Sequence, residues 1–112
     1  MIDDEPAIRL LCRVNLELGG YEVREAGSIQ EARAQMAGVD VVLLDMHIGN
    51  ERGDVLLQEC AEQSIPVAVV TGSTELEAIA ETSAAAVLGK PFTIDELEAT
   101  VARLAAIRAS HR

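Results

Sequence analysis

Val39 to Asp45 is a nearly continuous apolar run that ends on a carboxylate. A strand with this composition has no solvated face, so it belongs in a parallel sheet covered on both sides by helices. Pro66 to Thr71 is a second such run, and Ala84 to Leu88 is a short third. Helical segments separate them. Pro6 to Leu18 carries proline in its first turn and is stopped by Gly19-Gly20. Tyr21 to Ala26 alternates with period two, as a half-solvated strand does. Ser28 and Glu31 form a capping box for a helix that runs to about Met36 and ends by Gly38. A loop from Met46 to Gly53 leads into a helix through Cys60 and about Gln63. Gly72-Ser73 is a turn, Thr74 to Thr82 is weakly helical, and Lys90-Pro91 is a loop. Ile94 to Arg108 is the last helix, with Asp95 and Glu96 at its positive end and Arg108 at its negative end. Strand and helix alternate without a linker, repeat or low-complexity tract. The expectation is a single α/β domain over residues 1–112, built as a doubly wound parallel sheet.

The irregularity is at the start, where only Met1 and Ile2 precede Asp3-Asp4. A central strand is typically about five residues long, so two residues leave both neighbours with unpaired backbone groups. Two accounts stand: the chain begins part-way into the strand, or a partner supplies it. The first is favoured. In the first helix, Ile8, Leu11, Cys12 and Leu16 are expected to face the sheet. Leu10, Val14 and Leu18 form a second apolar row, which reads either as a wide core stripe or as a face for a partner or a homodimer.

Composition removes several function classes. The net charge is −10, from 19 acidic against 9 basic residues, and no Lys/Arg cluster is available for phosphate contacts. Direct nucleic-acid binding is not expected. No apolar run approaches the roughly 20 residues that cross a bilayer, and no signal peptide opens the chain, so a cytoplasmic protein is expected. Cys12 and Cys60 lie in predicted helices without CxxC spacing and read as buried free thiols.

In an open parallel sheet, ligands bind beyond the carboxyl ends of the strands. The residues at those ends are Asp3-Asp4, Asp45, Thr71 and Lys90. Clustered carboxylates bind a hard dication such as Mg²⁺ through oxygen. An aspartate nucleophile can form an acyl phosphate. A transferring phosphoryl group is stabilised by cations and hydroxyl donors. Lys90 is the only lysine in the chain, every other fixed cation being arginine, which argues against a generic solubility role. Each residue also has a plainer reading: Asp3-Asp4 as a helix cap, Asp45 as a loop cap, Thr71 as an ordinary strand residue. An imidazole ligand at His47 is rejected because no second His or Cys lies near it, and His111 lies in the terminal tail.

Ile2-Asp3-Asp4-Glu5-Pro6, Val42-Leu43-Leu44-Asp45-Met46, Gly53, Val69-Val70-Thr71-Gly72 and Gly89-Lys90-Pro91-Phe92 resemble, in this order and spacing, the motifs of response-regulator receiver domains of two-component signalling. The resemblance covers essentially the whole chain. It implies a flavodoxin-like fold with five parallel strands in the order 2-1-3-4-5 and a phosphorelay switch rather than a turnover enzyme. By that similarity Asp45 accepts the phosphoryl group from a histidine kinase or histidine phosphotransfer protein. Asp4, Asp45 and the His47 carbonyl would ligate Mg²⁺ or Mn²⁺, Asp3 acting mainly through water. Thr71 and Lys90 would contact the phosphoryl oxygens, and the Lys90-Pro91 bond would be cis. Family members often place an aromatic residue three positions before the lysine, where this chain has Val87, so an aromatic-rotation readout is not expected. Two alternatives remain. One is a degenerate receiver that docks without being phosphorylated. The other is an aspartyl-phosphate phosphatase of the haloacid-dehalogenase kind, which would need an aspartate where His47 stands.

Overall fold

A computed structural model describes residues 1–45, 47–48, 51–72 and 84–110. The first helix, α1, spans Pro6–Leu18, between the proline and the glycine pair. Its buried stripe follows the four-residue row through Ile8, Cys12 and Leu16. Leu11 departs from expectation: it is 44% exposed, because it stands about 100° around the helix from Cys12. Leu10, Val14 and Leu18 are exposed as well. Helix α2, Ile29–Ala34, is shorter than expected at its C-terminal end; the Ser28 hydroxyl accepts from the Glu31 N–H, the cap the sequence predicts.

Strand β1, Val42–Asp45, lies parallel to β4, Val67–Thr71, which lies parallel to β5, Ala86–Gly89. Ile2 makes parallel bridges to Leu44 on one side and to Ala26 on the other. It therefore stands between the second and third strand positions, as the expected order 2-1-3-4-5 requires. Of the expected strand Tyr21 to Ala26, only Ala26 is paired, and Val39 to Val41 stay outside β1. Ile2 is the residue that bridges to both walls, and backbone without a paired neighbour has no ladder to join.

The expected loop from Met46 to Gly53 contains an antiparallel hairpin, β2 (His47–Ile48) and β3 (Glu51–Arg52), with His47 opposite Arg52. Helix α3, Asp54–Glu62, follows, and α4, Ile94–Ser110, closes the described chain. A capping box at the start of α4 escaped the sequence reading: the Glu96 N–H donates to the Thr93 hydroxyl, and the Thr93 N–H to the Glu96 carboxylate, each at 3.1 Å. The helix expected over Thr74 to Thr82, and with it Ser73, lies outside the described residues, as do Met46 and His111.

Alternation along the strands sends side chains to two cores, one on each face of the sheet. Val42, Leu44, Val67 and Val69 pack with Ile2, Leu56 and Cys60, on the side of α2 and α3. Leu43, Ala68, Val70 and Leu88 pack with Cys12, Leu16, Leu97 and Val101, on the side of α1 and α4. Both cysteines are free and buried, one in each core. Among the described residues no helix is long and apolar enough to cross a membrane.

Candidate functional site

Strand register decides what meets at the carboxyl edge of the sheet. Asp45 ends β1 opposite Val70, and Thr71 ends β4 opposite Gly89, the residue before Lys90. The Lys90 N–H donates to the Thr71 carbonyl at 2.7 Å, which extends the ladder by one bond and fixes where the lysine leaves the sheet. The Lys90-Pro91 peptide is cis. From there the Lys90 ammonium donates to Asp3 Oδ2 at 3.1 Å and to Asp45 Oδ2 at 3.4 Å, with Glu5 Oε1 at 3.9 Å.

These carboxylates are withdrawn from water. Asp3 is fully buried, Asp45 is 8% exposed and Thr71 is 2% exposed. Two buried carboxylates facing one another are costly unless a cation stands between them. Lys90 is that cation. Burial by itself would lower its pKa, but the bonds to Asp3 and the charge of Asp45 outweigh burial and raise it above the ordinary lysine value. The ammonium therefore stays charged throughout the physiological range.

Asp3 is held from several sides. Its N–H donates to the Ala26 carbonyl at 3.1 Å, and its Oδ1 accepts from the Glu5 N–H at 2.9 Å, closing a turn just ahead of α1. Its carbonyl accepts from Arg9 Nη1 at 2.6 Å, while Arg9 Nε pairs with Glu25 at 3.5 Å. A Cβ on Gly27 would stand 3.0 Å from Arg9 Nη1, so the glycine leaves room for this strut. Arg9 was missed by sequence reasoning. Its signal is a cation near the start of a helix, where the dipole disfavours it, so an acceptor outside the helix was to be expected.

Asp4 is exposed beside Asp3, and the carboxylate oxygens of Asp3, Asp4 and Glu5 lie within 4.8 Å of one another. Glu5 is thus part of the acidic cluster, although the sequence reading used it only as a motif residue. An all-oxygen, acidic donor set suits a hard dication. His47, two residues beyond Asp45, begins β2. Gly53 caps α3 where a Cβ would meet Leu44 Cδ2 at 3.0 Å; the glycine lets α3 approach the strand that carries Asp45. Val87 lies at the surface of β5.

With this geometry in view, comparison with known proteins is direct. The family model "Response regulator receiver domain" matches residues 1–102. The chain is 31% identical to the transcriptional regulatory protein KdpE of Staphylococcus aureus over 118 residues, covering 100% of this chain and 51% of that protein. It is 34% identical to the KDP operon transcriptional regulatory protein KdpE of Escherichia coli, covering 88% of this chain and 47% of the other. The chain thus spans about half the length of these curated relatives. Among solved structures it is similar to the receiver domain of NtrX from Brucella abortus, with a TM-score of 0.86, 28% identity and coverage of 94% of this chain and 95% of that one. A response regulator receiver domain protein from Clostridium thermocellum matches with a TM-score of 0.85 at 27% identity, covering 99% and 95%. An open parallel sheet of this order, an ammonium drawing two buried carboxylates together at its carboxyl edge, and a family match across nearly the whole chain lead to one statement: the chain belongs to the response regulator receiver domain family.

Proposed function

We propose that residues 1–112 act as one receiver unit whose phosphoacceptor is Asp45. The observation that supports this best is the Lys90 ammonium held between Asp3 and Asp45, residues separated in sequence by 42 positions. A hydroxyl residue, Thr71, is buried on the adjoining strand end. In the reaction, an Asp45 oxygen forms a bond to phosphorus while the bond from phosphorus to the donor's imidazole nitrogen breaks, the electron pair returning to that ring. The donor is a histidine kinase or a histidine phosphotransfer protein. Lys90 moves from carboxylate to phosphoryl oxygen, and the Thr71 hydroxyl donates to another.

Asp3, Asp4, Asp45 and the His47 carbonyl would hold Mg²⁺ or Mn²⁺, Glu5 adding to the acidic field. Bound there, the dication would neutralise charge on the phosphoryl oxygens. The protein works as a switch in the cytoplasm, with self-phosphorylation from small donors and slow self-dephosphorylation as its only catalysis. The exposed row Leu10, Val14 and Leu18 gives α1 a face for a partner or a second copy. With Val87 in the position of the aromatic, the readout runs through groups other than a rotating ring.

Phosphoramidate or acetyl phosphate with Mg²⁺, followed by intact mass spectrometry, tests this reading. One added phosphoryl group is expected, and none for Asp45→Asn. Undiminished labelling of that variant would remove Asp45 from the role.

A further inference from the structure

The sheet releases the chain at the Asp3–Asp4 peptide. The Ile2 N–H and carbonyl are bonded to β1, Ala26 N–H donates to the Met1 carbonyl at 3.0 Å, and Asp3 N–H donates to the Ala26 carbonyl at 3.1 Å. Parallel ladders alternate, so the next donor due at the Asp3 carbonyl is the Ser28 N–H. Ser28 instead caps α2, and Arg9 Nη1 takes the position, 2.6 Å from the carbonyl oxygen. Just beyond this bond the carboxylate oxygens of Asp3, Asp4 and Glu5 are gathered within 4.8 Å of one another. Like charges so close repel, and Asp4 and Glu5 are exposed, so packing does not hold them there. The bond from Arg9 opposes rotation of the peptide that carries Asp4. Arg9 is itself aimed: its Nε faces Glu25 Oε1 at 3.5 Å, with the two side chains only 19% and 24% exposed. Glu25 is tied on two further sides, its Oε2 accepting from Arg13 Nη1 at 3.0 Å and its carbonyl from Gln35 Nε2 at 2.7 Å.

We propose that Arg9, held by Glu25, is a positioning residue: by fixing the Asp3–Asp4 peptide it aims the Asp4 carboxylate into the acidic cluster. The proposal rests on the reading of that cluster as the dication's site. A planar guanidinium serves the carbonyl and the carboxylate at once, from two nitrogens of one fork, which a lysine ammonium does not. Gly27 keeps the corridor open, since a Cβ there would stand 3.0 Å from Arg9 Nη1. Ion pairs near the surface contribute little to stability, so what this arrangement supplies is direction.

Two variants test this: Arg9→Lys, which keeps the charge and loses the fork, and Glu25→Gln, which keeps the shape and loosens the guanidinium. Without metal, amide exchange at Glu5, whose N–H is bonded to Asp3 Oδ1, is expected to quicken about tenfold in Arg9→Lys and less in Glu25→Gln. Exchange at Lys90, bonded to the Thr71 carbonyl, should stay as it was. Titration with Mn²⁺ alone, followed by its electron paramagnetic resonance signal, should give a Kd roughly tenfold higher in Arg9→Lys. With phosphoramidate, the Mg²⁺ concentration for half-maximal labelling should rise by the same factor, while the rate at saturating Mg²⁺ holds. A lower saturated rate and denaturant midpoint with unchanged half-saturation would make the role merely structural and overturn the proposal. Unchanged Glu5 exchange and Mn²⁺ affinity in both variants would also overturn it. A native chain that binds Mn²⁺ but takes up no phosphoryl group would remove the phosphoacceptor reading and leave Arg9 to be decided by the first two measurements. One that binds no Mn²⁺ would overturn both.

Discussion

Two ends of the same sheet behave differently. At the carboxyl edge, β1 is paired on both sides, to β4 and to Ile2, and the residues beyond it are joined through Lys90, Arg9 and the Asp3–Glu5 turn. About two residues upstream the same strand has one neighbour and a cavity. Val41 to Leu44 is apolar at every position, so the contrast does not come from strand propensity. It comes from the partner: Ile2 is where the central strand position is filled, and everything downstream of it inherits that order. The site and the cavity therefore share one residue as their boundary.

Replacing that residue should break the contrast from both directions. Ile2 is 4% exposed and packs with Ala26, Val42 and Leu44. Ile2→Ala is expected to cost roughly 2–5 kcal/mol, the range for buried large-to-small changes. It should also raise amide exchange at Asp45, whose N–H is bonded to the Ile2 carbonyl. Denaturant unfolding with site-resolved exchange measures both; a loss confined to stability, with Asp45 unchanged, would separate the site from Ile2.

The next change acts on the site alone. Gly53→Ala places a Cβ 3.0 Å from a Leu44 methyl that has nowhere to go. A cost of about 1–3 kcal/mol is expected. Phosphoryl labelling should slow, while exchange at Arg24, on the cavity wall, stays as it was.

The smallest effect compares the two cores through their thiols. Burial pushes both Cys12 and Cys60 up to about 11, from an ordinary 9.0. The folded state thus prefers the neutral thiol. As pH rises past 9 the unfolded chain loses these protons first, so the thiols' contribution to stability is complete below pH 9 and is lost between 9 and 11. At pH 8 both should react slowly with a thiol reagent. Cys12 shares its core with Met1, Val23 and Leu16, which line the cavity, whereas Cys60 sits under α3. Local opening at the cavity should label Cys12 several-fold faster. Equal rates would mean that this side of the sheet opens no more readily than the other.

Much of this was legible in the residues. The apolar runs, the helix stops and the Ser28 cap placed most elements to within a few residues, because period and punctuation are local signals. The residues at strand ends followed from sheet topology, and Lys90 stood out as the single lysine. The hairpin at His47 to Arg52 carries a local signal, the dipeptide Gly49-Asn50 between its paired residues, which the loop reading passes over. The rest was not local. Leu11 reads as core by spacing alone, and only the width of the buried stripe excludes it. Arg9 and Gly27 matter through each other, across 18 residues of sequence. The strand expected at Tyr21 to Ala26 has the right alternation but lacks a neighbour, which no property of its own residues encodes.

The position of Lys90 has a consequence for how this protein meets acylating reagents. It carries the chain's one side-chain amine, and that amine is held as an ion between two aspartates. Attack on an activated ester needs the neutral amine, which this setting makes scarce. Acylation would also erase the charge that keeps Asp3 and Asp45 together. A dye that reacts with amines is thus either excluded from the side chains of the folded protein or attaches at the one place where it dismantles the site. It therefore acts as a chemical reporter of whether the carboxyl edge is intact.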